Sequence, residues 1–171
     1  GRISPEKRPD RAIEIARRAG LPLRIAAKVD TADKRYFHDT IEPMLAGGGV
    51  EFIGEIDDAG KPDFLGNAAA LLFPIDWPEP FGLVMIEAMA CGTPVIAWRE
   101  GSVPEVVDEG LTGVIIDSLE AGVDAVARCR EMDRQAVRRH FEQRFDAMRM
   151  ASDYEALYLR MVEGAPRRME A

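Results

Sequence analysis

Glu79-Pro-Phe-Gly-Leu-Val-Met-Ile-Glu87 places two carboxylates eight residues apart around a turn that opens an almost wholly apolar helix. An ionised carboxylate that is buried without a partner costs several kcal/mol, so Glu87 must meet a hydrogen-bond donor. No Lys or Arg lies within one helical turn of it. Two neighbouring hydroxyls, as on a ribose, would give each carboxylate oxygen one donor. Glu87 is therefore a candidate ribose-binding residue.

The turn between the two acids is predicted to bind an anion. The N–H groups of Phe81, Gly82 and Leu83 lie at the start of the helix, where backbone donors lack partners within the helix. Gly82 has no side chain, so a ligand can approach the backbone closely there. Because the N-terminal end of a helix attracts negative charge, these amides are candidate ligand contacts.

Composition indicates one soluble globular domain. The sequence has 171 residues, of which 47% are hydrophobic and 30% are charged, and such a chain can form a core. No apolar run approaches the roughly 20 residues of a membrane span, and the first residues are polar rather than signal-like, which predicts a cytoplasmic protein. The formal net charge of -8 argues against nonspecific binding to nucleic acid, because such binding depends on lysine and arginine.

Strands and helices alternate along the chain. Short apolar runs predict strands at 23–29, 50–53, 70–73, 95–98 and 113–116, with helical segments between them. These spacings require crossover connections, so the expected fold class is α/β, with a Rossmann-like parallel sheet and helices on both faces. Ligands of such sheets bind beyond the carboxyl ends of the strands. Arg2, Glu55, Glu79 and Gly101 follow predicted strand ends and should line one rim.

The start of the chain carries a second candidate anion site. Arg2 and Lys7 flank the entrance to a helix that begins near Pro9, and two cations beside a helix N-terminus suit a phosphate group. The alternative is that both side chains are simply solvated. A turn of this kind should follow a strand, so we expect a central strand and everything before it to lie outside this sequence, which leaves an open slot in the sheet.

After position 120 the sequence predicts only helices, which are amphipathic. The arginines of this tail, Arg134 among them, are expected on a solvated face, and a peripheral membrane or partner-helix role is the alternative. His38 and His140 are expected at the surface. Trp77 and Trp98 are expected to pack at strand ends.

Several motifs in a fixed order point to a known family. Gly1-Arg-Ile-Ser-Pro-Glu-Lys7 is followed by Glu79-x7-Glu87, by Ala88-Met-Ala-Cys-Gly-Thr-Pro-Val95 and by Gly101-Ser-Val-Pro-Glu105. Together they resemble the carboxyl-terminal, donor-binding domain of GT-B retaining glycosyltransferases of family four, also called group one. The resemblance runs from residue 1 to about Asp117. It implies a donor-binding domain over residues 1–120 and helices over residues 121–171 that pack on the same domain.

The resemblance also implies a role for each candidate residue. Arg2 and Lys7 would bind the donor diphosphate, and Glu87 would hold the ribose hydroxyls. Glu79 would face the transferred sugar and the reacting centre. The remaining donor contacts would come from the amides of Phe81, Gly82 and Leu83, at sugar and phosphate oxygens, and from Glu55 and Ile56, against the base.

The activity implied by the resemblance is transfer of a hexose or similar sugar from a nucleotide diphosphate sugar to an acceptor hydroxyl, with retention of the anomeric configuration. No cofactor is expected. No metal ion is expected either, since no Asp-x-Asp pair stands in a suitable place and Asp57-Asp58 suits a helix start. An amino-terminal domain outside this sequence would bind the acceptor. A nucleotide-sugar epimerase, a phosphorylase and a noncatalytic nucleotide-binding module are the alternatives.

Overall fold

Five short strands form the framework of residues 1–164, the part of the chain that the computed structural model describes. They are β1 (Leu23–Ala26), β2 (Val50–Gly54), β3 (Leu71–Phe73), β4 (Val95–Trp98) and β5 (Gly113–Ile116). The strand pairs are all parallel, so the predicted parallel α/β fold is confirmed. Residues 165–171 of the predicted helical tail lie outside the described residues.

The strands divide into two sheets, with β1 beside β2 in one and β4 between β3 and β5 in the other. A cavity of about 730 Å³ lies between β1 and β3 and is lined by consecutive residues of both, 23–27 and 71–73. Successive residues of a strand point to opposite faces of a sheet, so a cavity lined by all of them lies along the strand edges. Within residues 1–164, strand pairing therefore stops at the edges of β1 and β3.

Helices connect the strands and cover them. They are α1 (Pro9–Arg18), α2 (Lys34–Tyr36), α3 (Glu42–Leu45), α4 (Lys61–Gly66), α5 (Leu83–Ala90), α6 (Val103–Val106), α7 (Leu119–Arg130), α8 (Arg134–Arg144) and α9 (Ala147–Gly164). The helix predicted near 33–45 is irregular, because a π-helical segment, Phe37–Ile41, joins α2 to α3. This segment places Ile41 in the core.

Strand β4 is the centre of the core, and its side chains are buried on both faces. Val95 and Ala97 pack in the apolar cluster that contains α5. Ile96 and Trp98 pack on the opposite face with residues of α1 and α7. This alternation explains why helices cover both faces of the β3–β4–β5 sheet, as the sequence predicts.

Helix α1 joins the two sheets through its apolar face. Ile13 packs with Ile41 in the cluster around β1 and β2, whereas Ile15 packs with Ile96 in the cluster around β4 and β5. Both α1 side chains are fully buried, and burial of an isoleucine contributes about 1.5 to 3 kcal/mol. The apolar face of α1 therefore holds the two sheets in one unit.

Arg134 anchors helix α8 to the turns at the amino ends of β3 and β4. Its guanidinium donates to the carbonyl oxygens of Gly66 and Ala68 and to the hydroxyl of Thr93, each at 2.7 Å. The prediction that this arginine lies on a solvated face is therefore wrong. The prediction rested on the many arginines in this part of the sequence. It missed the acceptors of Arg134, because they lie more than 40 positions away along the chain.

His140 is buried, which corrects the prediction that it lies at the surface. Arg144 donates to its Nε2 at 3.2 Å, and Asp108 lies 4.0 Å from its Nδ1. Burial lowers the pKa of His140, and the nearby charge of Arg144 lowers it further, against an opposing effect of Asp108. The folded protein therefore favours the neutral imidazole.

The last described helix, α9, exposes large apolar side chains, among them Tyr154, Tyr158 and Met161. Within residues 1–164, no helix combines the length and apolar character that a membrane crossing requires.

Replacing Arg134 with alanine should lower the free energy of unfolding by about 2 to 3 kcal/mol, because buried acceptors lose a charged donor. Chemical denaturation of parent and variant measures this difference. Arg139→Ala is the matched control, since Arg139 lies on the same helix and pairs with the exposed carboxylate of Asp133. Its expected loss is about 0.5 kcal/mol or less. Equal losses in both variants would contradict the anchoring role of Arg134.

Protonation of His140 should destabilise the fold as the pH falls. Its pKa is lowered on folding, so the unfolded chain binds this proton at a higher pH than the folded protein. The stability that depends on neutral His140 is complete above about pH 6.5 and declines below it. In His140→Gln the free energy of unfolding, measured from pH 7.5 to pH 5.5, should fall less steeply than in the parent. Parallel curves would show that His140 makes no contribution.

Candidate functional site

One cavity brings together five of the predicted donor-site residues, namely Arg2, Lys7, Glu55, Ile56 and Glu87. It is the cavity between β1 and β3, and these residues stand near the carboxyl ends of the strands, where ligands of parallel sheets bind. Glu55 is exposed and Ile56 is partly buried, directly after β2. Lys61 lines the same cavity, although the sequence pattern did not single it out.

Glu79 is joined to this group by Lys7. The ammonium of Lys7, which ends a short 3-10 turn at Pro5–Lys7, forms an ion pair with the Glu79 carboxylate. The indole Nε1 of Trp77 donates to Oε2 of the same carboxylate at 2.9 Å. The Glu79 side chain is only 15% exposed. The sequence thus identified both members of the ion pair, but it predicted a packing role for Trp77, which is partly exposed and binds Glu79 instead.

The backbone at Glu79 is held by the segment after β4. Ser102 donates its N–H to the Glu79 carbonyl at 3.0 Å, and its hydroxyl donates to the Phe81 carbonyl at 2.8 Å. Gly101 has a φ of 53°, and a Cβ at this position would collide with the Glu79 backbone. Gly101 and Ser102 therefore set the position of the turn that carries the acid.

Gly82 has a packing role at the start of α5. Its φ is 75°, and a Cβ there would lie 2.7 Å from Cε of Met85 and 3.2 Å from Cζ of Phe73. Glycine is thus required by the fold, whatever approaches the backbone. In the described part of the chain, no protein acceptor binds the N–H groups of Phe81, Gly82 and Leu83. These amides remain available to a ligand, as the sequence predicts.

Glu87 differs from its prediction in two respects, because it is partly exposed rather than buried and because it has a cationic partner. Its side chain is 37% exposed, and its Oε1 accepts a hydrogen bond from Lys61 Nζ at 3.1 Å. The sequence argument searched for a cation within one helical turn, whereas Lys61 lies 26 positions earlier. One feature of the sequence could have identified Lys61 as a site residue. It stands at the start of a short helix that follows a predicted strand, and such positions lie at the ligand-binding edge of a parallel sheet.

Arg2 is the most exposed of the predicted phosphate ligands. Its guanidinium pairs with Glu6, and its Nε lies 3.8 Å from Oδ2 of Asp33. A parallel backbone bridge to Lys28 holds Arg2 beside the end of β1. Exposed ion pairs contribute about 0 to 1 kcal/mol, so an incoming phosphate can replace Glu6 as the partner of Arg2 at small cost.

Three of the cations that line the cavity, near the carboxyl ends of the strands, are each paired with an acid. Lys7 pairs with Glu79, Lys61 with Glu87 and Arg2 with Glu6. Such an arrangement can bind a dianion through the cations and polar hydroxyls through the carboxylates. Within the described residues, no group of three His, Cys, Asp or Glu side chains is arranged to hold a metal ion.

Comparison with known proteins shows the family of this chain. Residues 1–144 match the family model for glycosyl transferases group 1. D-inositol 3-phosphate glycosyltransferase 2 of Catenulispora acidiphila is 30% identical over 139 residues, which cover 74% of this chain and 32% of that enzyme.

Solved structures share the fold. AviGT4, a glycosyltransferase involved in avilamycin A biosynthesis, has a TM-score of 0.81 at 27% identity, over 96% of this chain and 51% of that chain. HepE of Anabaena, solved with UDP and glucose, has a TM-score of 0.73 at 26% identity, over 92% of this chain and 46% of that chain. The chain spans about half the length of these two proteins. Since the family model matches most of the sequence, the chain belongs to the group 1 glycosyl transferases.

Proposed function

We propose that this chain is the donor-binding half of a retaining glycosyltransferase, which transfers a sugar from a nucleotide diphosphate sugar to an acceptor hydroxyl. One observation carries the proposal. Glu87 and the cations of the entrance segment, Arg2 and Lys7, line one cavity, and the ion pair with Lys7 holds Glu79 beside them. The UDP and glucose bound by HepE, which has the same fold, support a nucleotide-sugar donor.

In this proposal the diphosphate lies between Arg2 and Lys7. A lysine acts as a point charge and an arginine offers two parallel donors, and phosphate groups accept both. The free amides of Phe81, Gly82 and Leu83 add donors at the start of α5. Glu87 accepts hydrogen bonds from the ribose hydroxyls, and the base lies against Glu55 and Ile56.

Glu79 acts at the sugar. As the diphosphate departs, the sugar becomes cation-like and negative charge builds up on the leaving group. The Lys7–Glu79 ion pair places a cation and an acid side by side, so Lys7 can stabilise the leaving phosphate while Glu79 stabilises the sugar. Arg2 and Lys7 take the part that a divalent metal has in other transferases, and we therefore assign no metal to the reaction.

We assign residues 1–120 to the donor domain and residues 121–171 to helices that pack on it. The packing of α7 on β4 and the anchor at Arg134 support this for the described part of the tail. The strand that the sequence predicts outside this chain would fill the part of the cavity that runs along the edges of β1 and β3. The donor would bind beyond the carboxyl ends of these strands, at the end of the cavity where Arg2, Lys7 and Glu87 lie. The acceptor would bind to a further domain, and the length of AviGT4, about twice the matched region, supports one.

Binding of nucleoside diphosphates tests the site in this chain. Titration calorimetry with UDP, GDP and ADP should find a ligand whose affinity falls by about 10- to 100-fold in Arg2→Ala, because a charged phosphate contact is lost. Arg35→Ala is the matched control, since Arg35 is exposed on α2 and pairs with Asp39. Its affinity should equal that of the parent. If Arg2→Ala binds as tightly as the parent, the phosphate site is misplaced.

Catalysis requires the full-length protein, because the acceptor domain must exclude water from the site and orient the acceptor. There, Glu79→Gln should lower kcat by about 100- to 1000-fold, since charge stabilisation at the reacting centre is lost. Nucleotide affinity should be kept, because Lys7 is released from its ion pair. Glu142→Gln, on the exposed face of α8, is the control and should retain full activity.

Product analysis in the same assay separates the alternatives. A transferase yields a glycoside with the donor's anomeric configuration, an epimerase yields a changed nucleotide sugar, and a phosphorylase yields a sugar phosphate. Unchanged turnover in Glu79→Gln would rule out the role assigned to this acid.

A further inference from the structure

Lys61 lines the same cavity as Glu87 and has no role in the assignments above. It is the first residue of α4, and its ammonium contacts two carboxylates, Asp58 Oδ1 at 3.0 Å and Glu87 Oε1 at 3.1 Å. Asp58 is 96% exposed, so that contact is weak. Glu87 is the more sheltered partner and is the acid assigned to the ribose.

We propose that Lys61 is a positioning residue, which fixes the Glu87 carboxylate in the orientation that accepts the two ribose hydroxyls. The proposal rests on the proposed function, because it presumes that Glu87 binds ribose. The proposal adds that Lys61, without touching the nucleotide, determines how strongly the site prefers a ribonucleotide over an analogue that lacks both ribose hydroxyls.

The backbones of Lys61 and Glu87 are fixed relative to one another. Leu65, on α4, is buried in the same apolar cluster as Met89 of α5. Its carbonyl accepts a hydrogen bond at 2.7 Å from the buried hydroxyl of Thr93, which follows α5. Because both helices are held by packing and by this bond, the separation of Lys61 and Glu87 is set by the fold rather than by two mobile side chains.

The chemistry of the pair leaves room for a ligand. An ammonium has three donors and no acceptor, whereas a carboxylate has two oxygens with about four acceptor positions. Lys61 occupies one position on Oε1, so Oε2 and the rest of Oε1 are open. A rotating carboxylate would lose entropy on binding two hydroxyls at once. An ion pair that already restricts its rotation reduces that loss.

Lys61 donates to two carboxylates, and these hydrogen bonds, first that of Asp58 and then that of Glu87, raise the pKa of Lys61. The ammonium therefore remains charged near neutral pH. Two of its three N–H donors are engaged by Asp58 and Glu87, which leaves one donor for any other ligand. The contact with Glu87 is the observation that supports an indirect role.

The test compares a ribonucleotide with its analogue that lacks both ribose hydroxyls. The ligands are whichever of UDP, GDP and ADP the parent binds most tightly, and the 2′,3′-dideoxy form of the same nucleotide. Affinities are measured by titration calorimetry on the parent, Lys61→Met, Lys61→Arg and Glu87→Gln. Lys34→Met is the control, since Lys34 is exposed and lies outside the cavity lining. Denaturation curves establish that each variant is folded.

The parent should bind the dideoxy form about 10- to 100-fold more weakly, as expected for the loss of two hydrogen bonds to a charged group. Lys61→Met should lose most of this discrimination by weaker binding of the ribonucleotide alone, and its affinity for the dideoxy form should equal that of the parent. Lys61→Arg should restore most of the discrimination. Lys34→Met should match the parent with both ligands.

Two results would overturn the proposal while the ribose assignment stands. Equal weakening of both ligands in Lys61→Met would mean that Lys61 contacts the phosphates or the base directly. Full discrimination in Lys61→Met would mean that Glu87 needs no lysine. A third result, a parent that binds both ligands equally, would overturn the ribose role of Glu87 and this proposal with it. The failure of the proposed function is thus distinguishable from the failure of the role of Lys61.

Discussion

Two ion pairs determine the geometry of this site. Lys7 follows the segment that bridges to Lys28, beyond β1, and its partner Glu79 follows β3. Lys61 begins α4, which packs in the same apolar cluster as α5, and its partner Glu87 lies on α5. The first pair therefore joins the entrance segment to the turn after β3, and the second joins two helices of one cluster. Opposite charges in partly sheltered positions attract one another more strongly than they would in bulk water.

Glu79 has further restraints besides its ion pair. The Lys7–Glu79 pair would leave the acid free to follow a flexible lysine. Trp77 and Ser102 prevent this, one by a hydrogen bond to the carboxylate and the other by a hydrogen bond to the backbone. The glycine at position 101 allows the two segments to touch. The uncharged residues Trp77, Gly101 and Ser102 thus fix the position of the Glu79 carboxylate.

Much of the fold could be predicted because it depends on local patterns. The buried apolar runs 95–98 and 113–116 match β4 and β5 residue for residue, since a strand covered on both faces is apolar throughout. The turn at the start of the chain predicts an open slot in the sheet, but the edges that border the slot, β1 and β3, depend on tertiary contacts that no local pattern contains. The same reason accounts for Lys61, Arg134 and His140, whose partners or burial arise from distant segments. Trp77 is different, because its acceptor Glu79 lies only two positions away. The two acids of Glu79-x7-Glu87 lie in one continuous stretch of the chain, so their spacing can be read from the sequence.

The position of the site has a consequence for the energetics of recognition. The entrance segment with Arg2 and Lys7 and the segment after β3 meet through the Lys7–Glu79 pair and through an ion pair of Arg8 with Asp76. A ligand that contacts both segments adds its binding free energy to these contacts. Its occupancy therefore stabilises the folded unit as well as filling the site.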